Sequence, residues 1–304
     1  MKFHLGIKSD PIEYRYSFDW LFALMEELGL RYVQIGSFPE LYWVDDGWLL
    51  DLRRRAARHR VTIRSCFTAH RELGGFLGGE PALEQAARRA YERYIHVASV
   101  VGADSVGGNP GAVFRDRLEG KPAGIAVYLR HMRELMALAR AKGLRALHLE
   151  SMSCLAEPPS LPEEVETILG ELAAHHAAHP DTTVPVRLCS DIAHGYADAD
   201  RRVVCDNWSR FEHEIPWMGE FHIKNTDEIF NATFGFSPGE QARGIVDLSR
   251  FRRLLQDNRE RFPVEEIVGY LELGGPKLGR DYSDRELGDM IRDSIRGIRA
   301  HFPE

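Results

Sequence analysis

The stretch RALHLE (145–150) sets Ala146, Leu147 and Leu149 in a short apolar run and closes on Glu150, the pattern of a buried strand with an acid at its C-terminal end. Three later runs end in the same way. VPVRLCSD (184–191) closes on Asp191, GEFHIKN (219–225) carries His222, and IVGYLEL (267–273) carries Glu272. Asp191 follows Glu150 by 41 residues, His222 follows Asp191 by 31, and Glu272 follows His222 by 50. A strand–helix unit of an eight-fold barrel takes roughly 31 residues before loop insertions. The spacing suits one such side chain per consecutive unit.

Outward from these runs the same alternation continues. FHLGI (3–7), YVQIG (32–36), VTIRSCF (61–67) and ADSVGG (103–108) are predicted strands. Helices are predicted over about 17–28, 47–58, 81–101, 123–142, 161–178, 206–214, 248–261 and 283–300. Leu21, Leu24, Met25 and Leu28 recur at helical spacing before Gly29, and Gly143 stops the helix that precedes RALHLE. Ser160 with Glu163 has the spacing of a capping box at the start of 161–178. Strict alternation makes neighbouring strands parallel, because each returns through a helical crossover. A single α/β domain over residues 1–304, folded as a (β/α)8 TIM barrel, is the expectation. An open doubly wound sheet is the rival, but no Gly-rich dinucleotide fingerprint follows the first strand.

A net charge of −7 without a basic stripe argues against general affinity for nucleic acid or an anionic membrane surface. Arg53, Arg54, Arg55, Arg58 and Arg60, and likewise Arg88, Arg89 and Arg93, fall on helical segments mixed with acids and read as solvated faces. Cys66, Cys154, Cys189 and Cys205 have no CxxC pairing, as expected of reduced intracellular thiols. With no apolar leader and no run of ~20 apolar residues, the cytoplasm is the default address. His175, His176 and His179, near a helix end, read as a surface feature.

Glu150, Asp191, His222 and Glu272 form an oxygen-rich divalent-cation site if their strands lie side by side. Three carboxylates and one imidazole suit Mn2+ or Mg2+ better than the thiolate-rich sets of structural zinc.

HLES (148–151), SDIAHG (190–195), FHIKN (221–225) and LELGG (271–275) resemble, in order, the motifs of the xylose-isomerase-like TIM barrels, and within them the ketose 3-epimerases and related sugar isomerases. The resemblance spans essentially the whole chain. It implies that Glu150, Asp191, His222 and Glu272 hold one Mn2+, Mg2+ or Co2+ ion. It also implies that His194, in the DxxH pattern, touches substrate oxygens. Lys224 faces the same side as His222 under strand alternation, where it binds a substrate hydroxyl, carboxylate or phosphate or pairs with Glu272 or Asp191. His70 and Asn109 follow strands three and four and are expected to line the pocket, and Arg243 occupies a loop that family members use to close the site. Trp43 and Trp48 either stack on a sugar face or pack conventionally.

The implied reaction is isomerisation or epimerisation of a carbohydrate or sugar acid. Glu150 and Glu272 stand on opposite sides of a ketose, one removing a proton and the other returning it, through an enediolate whose charge the cation holds. A dehydratase or decarboxylase acting on a keto-polyol or keto-sugar acid is the alternative. The chain departs from the family where Asn225 replaces the Asp of H-x-K-D, where Glu228 lies in the region of an epimerase arginine, and where Ala156 stands at the spacing of a second glutamate, with Glu157 one later. Residues 226–244, with Phe230, Phe234 and Phe236, suggest a distinct lid. An endonuclease-IV-type nuclease needs further histidines; position 109 is Asn and no histidine follows His222 until His301. Barrels of this group are often homo-oligomers, and no sequence feature decides the state here.

Overall fold

In the computed structural model, residues 1–36, 38–68, 75–273 and 281–302 are described, with side chains of the last stretch from residue 286 onward. The strands are β1 (Lys2–Lys8), β2 (Tyr32–Gly36), β3 (Thr62–Thr68), β4 (Ser105–Gly108), β5 (Ala146–Leu149), β6 (Val186–Asp191), β7 (Tyr196–Ala197), β8 (Val203–Cys205), β9 (Met218–Ile223) and β10 (Glu266–Leu271). Eight of them close a parallel barrel in the order β1-β10-β9-β6-β5-β4-β3-β2. The expected (β/α)8 barrel is therefore the observed fold. The strands β7 and β8 form a separate antiparallel pair that alternation of apolar residues did not signal.

The chain groups into two compact units. One comprises Met1–Gln34, Arg54–Thr62 and Asp191–Glu304. In it β1 pairs with both β10 and β2, and β10 with β9. Its core is aromatic: Phe221 stacks on Phe3 and meets Phe211 and Phe251 edge-on, with ring centroids 5.8, 5.5 and 5.7 Å away. Edge-to-face rings gain quadrupolar attraction beyond their burial. The other unit comprises Ile35–Arg53 and Ile63–Ser190, with β3, β4, β5 and β6 paired in sequence order. Phe76 packs on Tyr91 and Tyr128 there, and burial pushes the Tyr91 phenol up and the Tyr128 phenol well above its usual range.

Helix ends follow local chemistry. Gly29 and Gly143 take φ of 65° and 81°, a left-handed conformation that side chains resist, just past the helices they were expected to end. Ser17 Oγ accepts from Trp20 N at 3.2 Å, and Asp206 caps Asn207–Glu214 through Trp208 N and Ser209 N. The expected Ser160–Glu163 box is corrected: the helix is Pro162–Ala178, and the backbone N and Oγ of Ser160 donate instead to Glu164 at 2.8 and 3.0 Å. A complete capping box does occur, unanticipated, between Ser237 and Glu240 of the short helix Pro238–Arg243. The helix expected over 248–261 ends at Asp257, where Asn258 breaks the α-helical turn, and Arg259–Arg261 form a single 3-10 turn.

Candidate metal centre

Strand alternation and register set the site. Tyr270 lies opposite His222, and Gly6 opposite Tyr270. Two residues further along, on the same face, are Lys224, Glu272 and Lys8, so these three arrive at one level. Asp191 is the last residue of β6, and Glu150 follows the last residue of β5. Glu150, Asp191, His222 and Glu272 each offer one ligand atom, and these atoms all lie within 4.8 Å of one another. The first three are buried and Glu272 is 18% exposed at its side chain.

Gathering carboxylates in a desolvated place demands compensating positive charge. Lys224 Nζ lies 2.8 Å from Asp191 Oδ2 and 3.5 Å from Glu272 Oε2. Lys8 Nζ lies 3.0 Å from Glu272 Oε1 and 3.8 Å from Asp10 Oδ1. His222 Nδ1 is 3.1 Å from Glu272 Oε2 and 3.9 Å from Asp191 Oδ2. Burial alone would raise the Glu272 carboxyl, but Lys224, Lys8 and His222 outweigh it and hold the group well below the usual carboxylate range. Asp10 shows the opposite balance: burial dominates over Lys8, and its carboxyl is pushed up to about 7. Glu13 is raised as well, again chiefly by burial.

Local hydrogen bonds aim the acids. Asp191 Oδ1 accepts from Ala193 N at 2.8 Å, which leaves Oδ2 turned toward Lys224 and His222. Asn109 Nδ2 lies 3.4 Å from Glu150 Oε2 and 2.8 Å from Met152 Sδ. His194 is buried, with Nε2 3.1 Å from Lys224 Nζ and 3.6 Å from Asp191 Oδ2. Both partners expected for Lys224 are thus present. Arg243 is exposed, with its guanidinium carbon 4.4 Å from the centroid of Phe234. His70 lies outside the described residues. Trp43 is 86% exposed, with little packing around it. The segment expected as a lid is anchored: Asn225 pairs with Phe234 across an isolated bridge, and Phe234 and Phe236 are buried.

Three groups beside the acids were missed. Lys8 extends β1 one residue beyond its apolar run, and Asp10 follows in the turn. Gln34, inside β2, places its Oε1 2.7 Å from His222 Nε2. A polar residue within an otherwise apolar strand is the one signal that could have flagged Gln34.

Residues 22–267 match the profile of the xylose isomerase-like TIM barrel family, and the chain belongs to that family. Among solved structures it is similar to a putative xylose isomerase from Rhodospirillum rubrum, at 20% identity and a TM-score of 0.76 over 99% of this chain and 98% of that one. D-psicose 3-epimerase from Clostridium cellulolyticum, solved with D-tagatose, is 16% identical with a TM-score of 0.66 over 98% and 99%. The IOLI protein, solved with a bound zinc atom, is 16% identical with a TM-score of 0.70 over the full length of both chains. At these identities the likeness is one of fold. No curated protein matches the sequence.

The donor set fits a divalent cation: three carboxylates and one imidazole, their ligand atoms within one ion's reach, with the Lys8 and Lys224 ammoniums beside them among the described residues. Among the described residues no helix is long and apolar enough to cross a membrane.

Proposed function

We propose that this protein is a divalent-cation-dependent isomerase or epimerase of keto-sugars or keto-sugar acids, with Glu150, Asp191, His222 and Glu272 holding the ion. The observation that carries the proposal is the convergence of these four donors in a buried cluster. Similarity of fold to an epimerase solved with a ketose supports the substrate class. A bound divalent cation polarises a substrate carbonyl and offsets the charge that develops on its oxygen.

Glu150 and Glu272 move the proton. Glu272 is ionised across the neutral range because Lys224, Lys8 and His222 favour its charged form, so it is ready to accept one. Glu150, oriented by Asn109, returns a proton to the opposite face, giving epimerisation, or to the adjacent carbon, giving aldose–ketose isomerisation. Lys224 and His194, in mutual contact beside Asp191, bind substrate oxygens, and Arg243 contributes a further substrate contact.

The test is a Mn2+-supplemented screen of ketoses, keto-sugar acids and their phosphates in D2O. Deuterium incorporation into one of them by the wild type, abolished in Glu150→Gln and in Glu272→Gln with the barrel intact, is the expected result. Full activity in both variants excludes the mechanism. Release of CO2 or formation of an enone assigns the site to a lyase instead.

A further inference from the structure

We infer that Gln34 is a positioning residue that fixes the tautomer of His222, so that Nδ1 is the nitrogen offered to the ion. The inference rests on the metal reading above for its functional consequence, but its geometry stands apart from it.

Glu220, His222 and Lys224 alternate onto one face of β9 and its extension, and Gln34 faces the first two from β2. Gln34 Nε2 donates to Glu220 Oε1 at 2.9 Å, and Gln34 Oε1 lies 2.7 Å from His222 Nε2. Gln34 and His222 are fully buried and Glu220 is 3% exposed, so bulk water does not stand in for a missing partner.

The order of donors and acceptors along this chain is forced. A glutamine amide has one face that only donates and one that only accepts. The Glu220 carboxylate accepts, so the amide nitrogen must face it. The reversed amide would set two acceptors against each other at the Glu220 end, at a cost of several kcal/mol in a buried place. The amide oxygen is thereby turned to His222, and an oxygen that cannot donate requires a proton on Nε2. An imidazole bound to an ion is neutral and holds a single ring proton, so in that state its lone pair lies on Nδ1. That atom is 3.1 Å from Glu272 Oε2 and 3.9 Å from Asp191 Oδ2, among the other donors. The buried polarity of Glu220, two residues before the imidazole, is relayed through one amide into a choice of ring nitrogen.

The test is two-bond 1H–15N correlation of the His222 imidazole in wild-type protein, metal-free and loaded with Zn2+, beside Zn2+ and Mn2+ affinities of Gln34→Met and Glu220→Gln. The expected result is a proton on Nε2 in both wild-type states and bare, metal-shifted Nδ1 in the loaded one. Gln34→Met, similar in volume but unable to accept, should weaken metal binding about 10- to 100-fold, as loss of such outer partners does. Glu220→Gln keeps an acceptor oxygen for the Gln34 amide and should stay within a few-fold of wild type, which a purely structural role for the chain would not predict. A bare Nε2 in the wild type, or wild-type affinity in a folded Gln34→Met, overturns the inference. If Gln34→Met does not fold, the wild-type spectra decide. If the wild type binds no metal while Nε2 stays protonated against Gln34, the metal reading fails and the relay stands.

Discussion

Lys8 Nζ and Glu272 Oε1 stand 3.0 Å apart on adjacent parallel strands, although 264 residues separate them in the chain. Continuing the β1–β10 register beyond Ile7 opposite Leu271 sets the two directly across from each other. The ammonium occupies the same carboxylate that a cation would use. Replacing Lys8 with Met removes a like charge from beside the ion. At several ångströms and an effective dielectric of about 20 such repulsion exceeds 1 kcal/mol, so Mn2+ should bind about tenfold tighter. Titration of the metal-free variant at neutral pH checks this; weaker binding would mean that Lys8 helps to build the site.

Asp10 gives a pH signature. Its carboxyl is pushed from an ordinary 3.8 to about 7, chiefly by burial, although Lys8 opposes the shift. Between those values the folded protein keeps a proton that the unfolded chain has lost, so stability falls as pH rises through the window. Asp10→Asn retains an oxygen for the 3.3 Å hydrogen bond from Leu273 N and carries no such penalty. The stability difference between variant and wild type should therefore favour the variant increasingly from pH 4 to pH 8. Urea denaturation of metal-free protein across that range measures it, and a flat difference would contradict the raised carboxyl.

The barrel and the clustering of four strand-end side chains were legible because they depend on short-range pattern. Glu150, Asp191, His222 and Glu272 each close or nearly close an apolar run, and strand–helix alternation dictates parallel neighbours. Lys8 and Asp10 were not legible, since a lysine one residue past an apolar run looks like any solvated strand end. Gln34 is polar within YVQIG, but its partner Glu220 lies 186 residues away, and only barrel closure brings them together. Ser160 pairs with Glu164 and not Glu163 because Leu161 is the residue that caps the helix, which sets Ser160 one position further out. Asn225, where the family motif has Asp, could be noted in the sequence but not understood there.

Asn225 is a loop anchor. Its Oδ1 accepts from Thr226 N at 3.0 Å and Val246 N at 2.9 Å in a fully buried position, while its backbone bonds to Phe234 in both directions. Asn225→Leu strands two buried N–H groups, each costing about 1–3 kcal/mol. A loss of about 2–5 kcal/mol in chemical denaturation is expected. Gly244 packs so closely on the same side chain that an added Cβ would sit 2.2 Å from its amide atoms. Gly244→Ala should destabilise too, and less than additively with Asn225→Leu, because both loosen one contact.

Metal addition provides the broadest check. A ligand that binds only the folded state stabilises it by about 2.7 kcal/mol at a hundred times its dissociation constant. Mn2+ added to chelator-stripped protein should raise Tm in proportion to the logarithm of its concentration. Asp191→Asn should remove that dependence, because Oδ2, 3.9 Å from His222 Nδ1 and 2.8 Å from Lys224 Nζ, loses the charge that offsets both the ion and the lysine. The same substitution leaves Lys224 with Glu272, 3.5 Å away, as its remaining ion-pair partner in the cluster. The metal-free variant should thus lie below wild type in Tm even before manganese is added. A Tm that rises equally with Mn2+ in wild type and variant would place the ion elsewhere on the molecule, and the assignment of these four donors would fall.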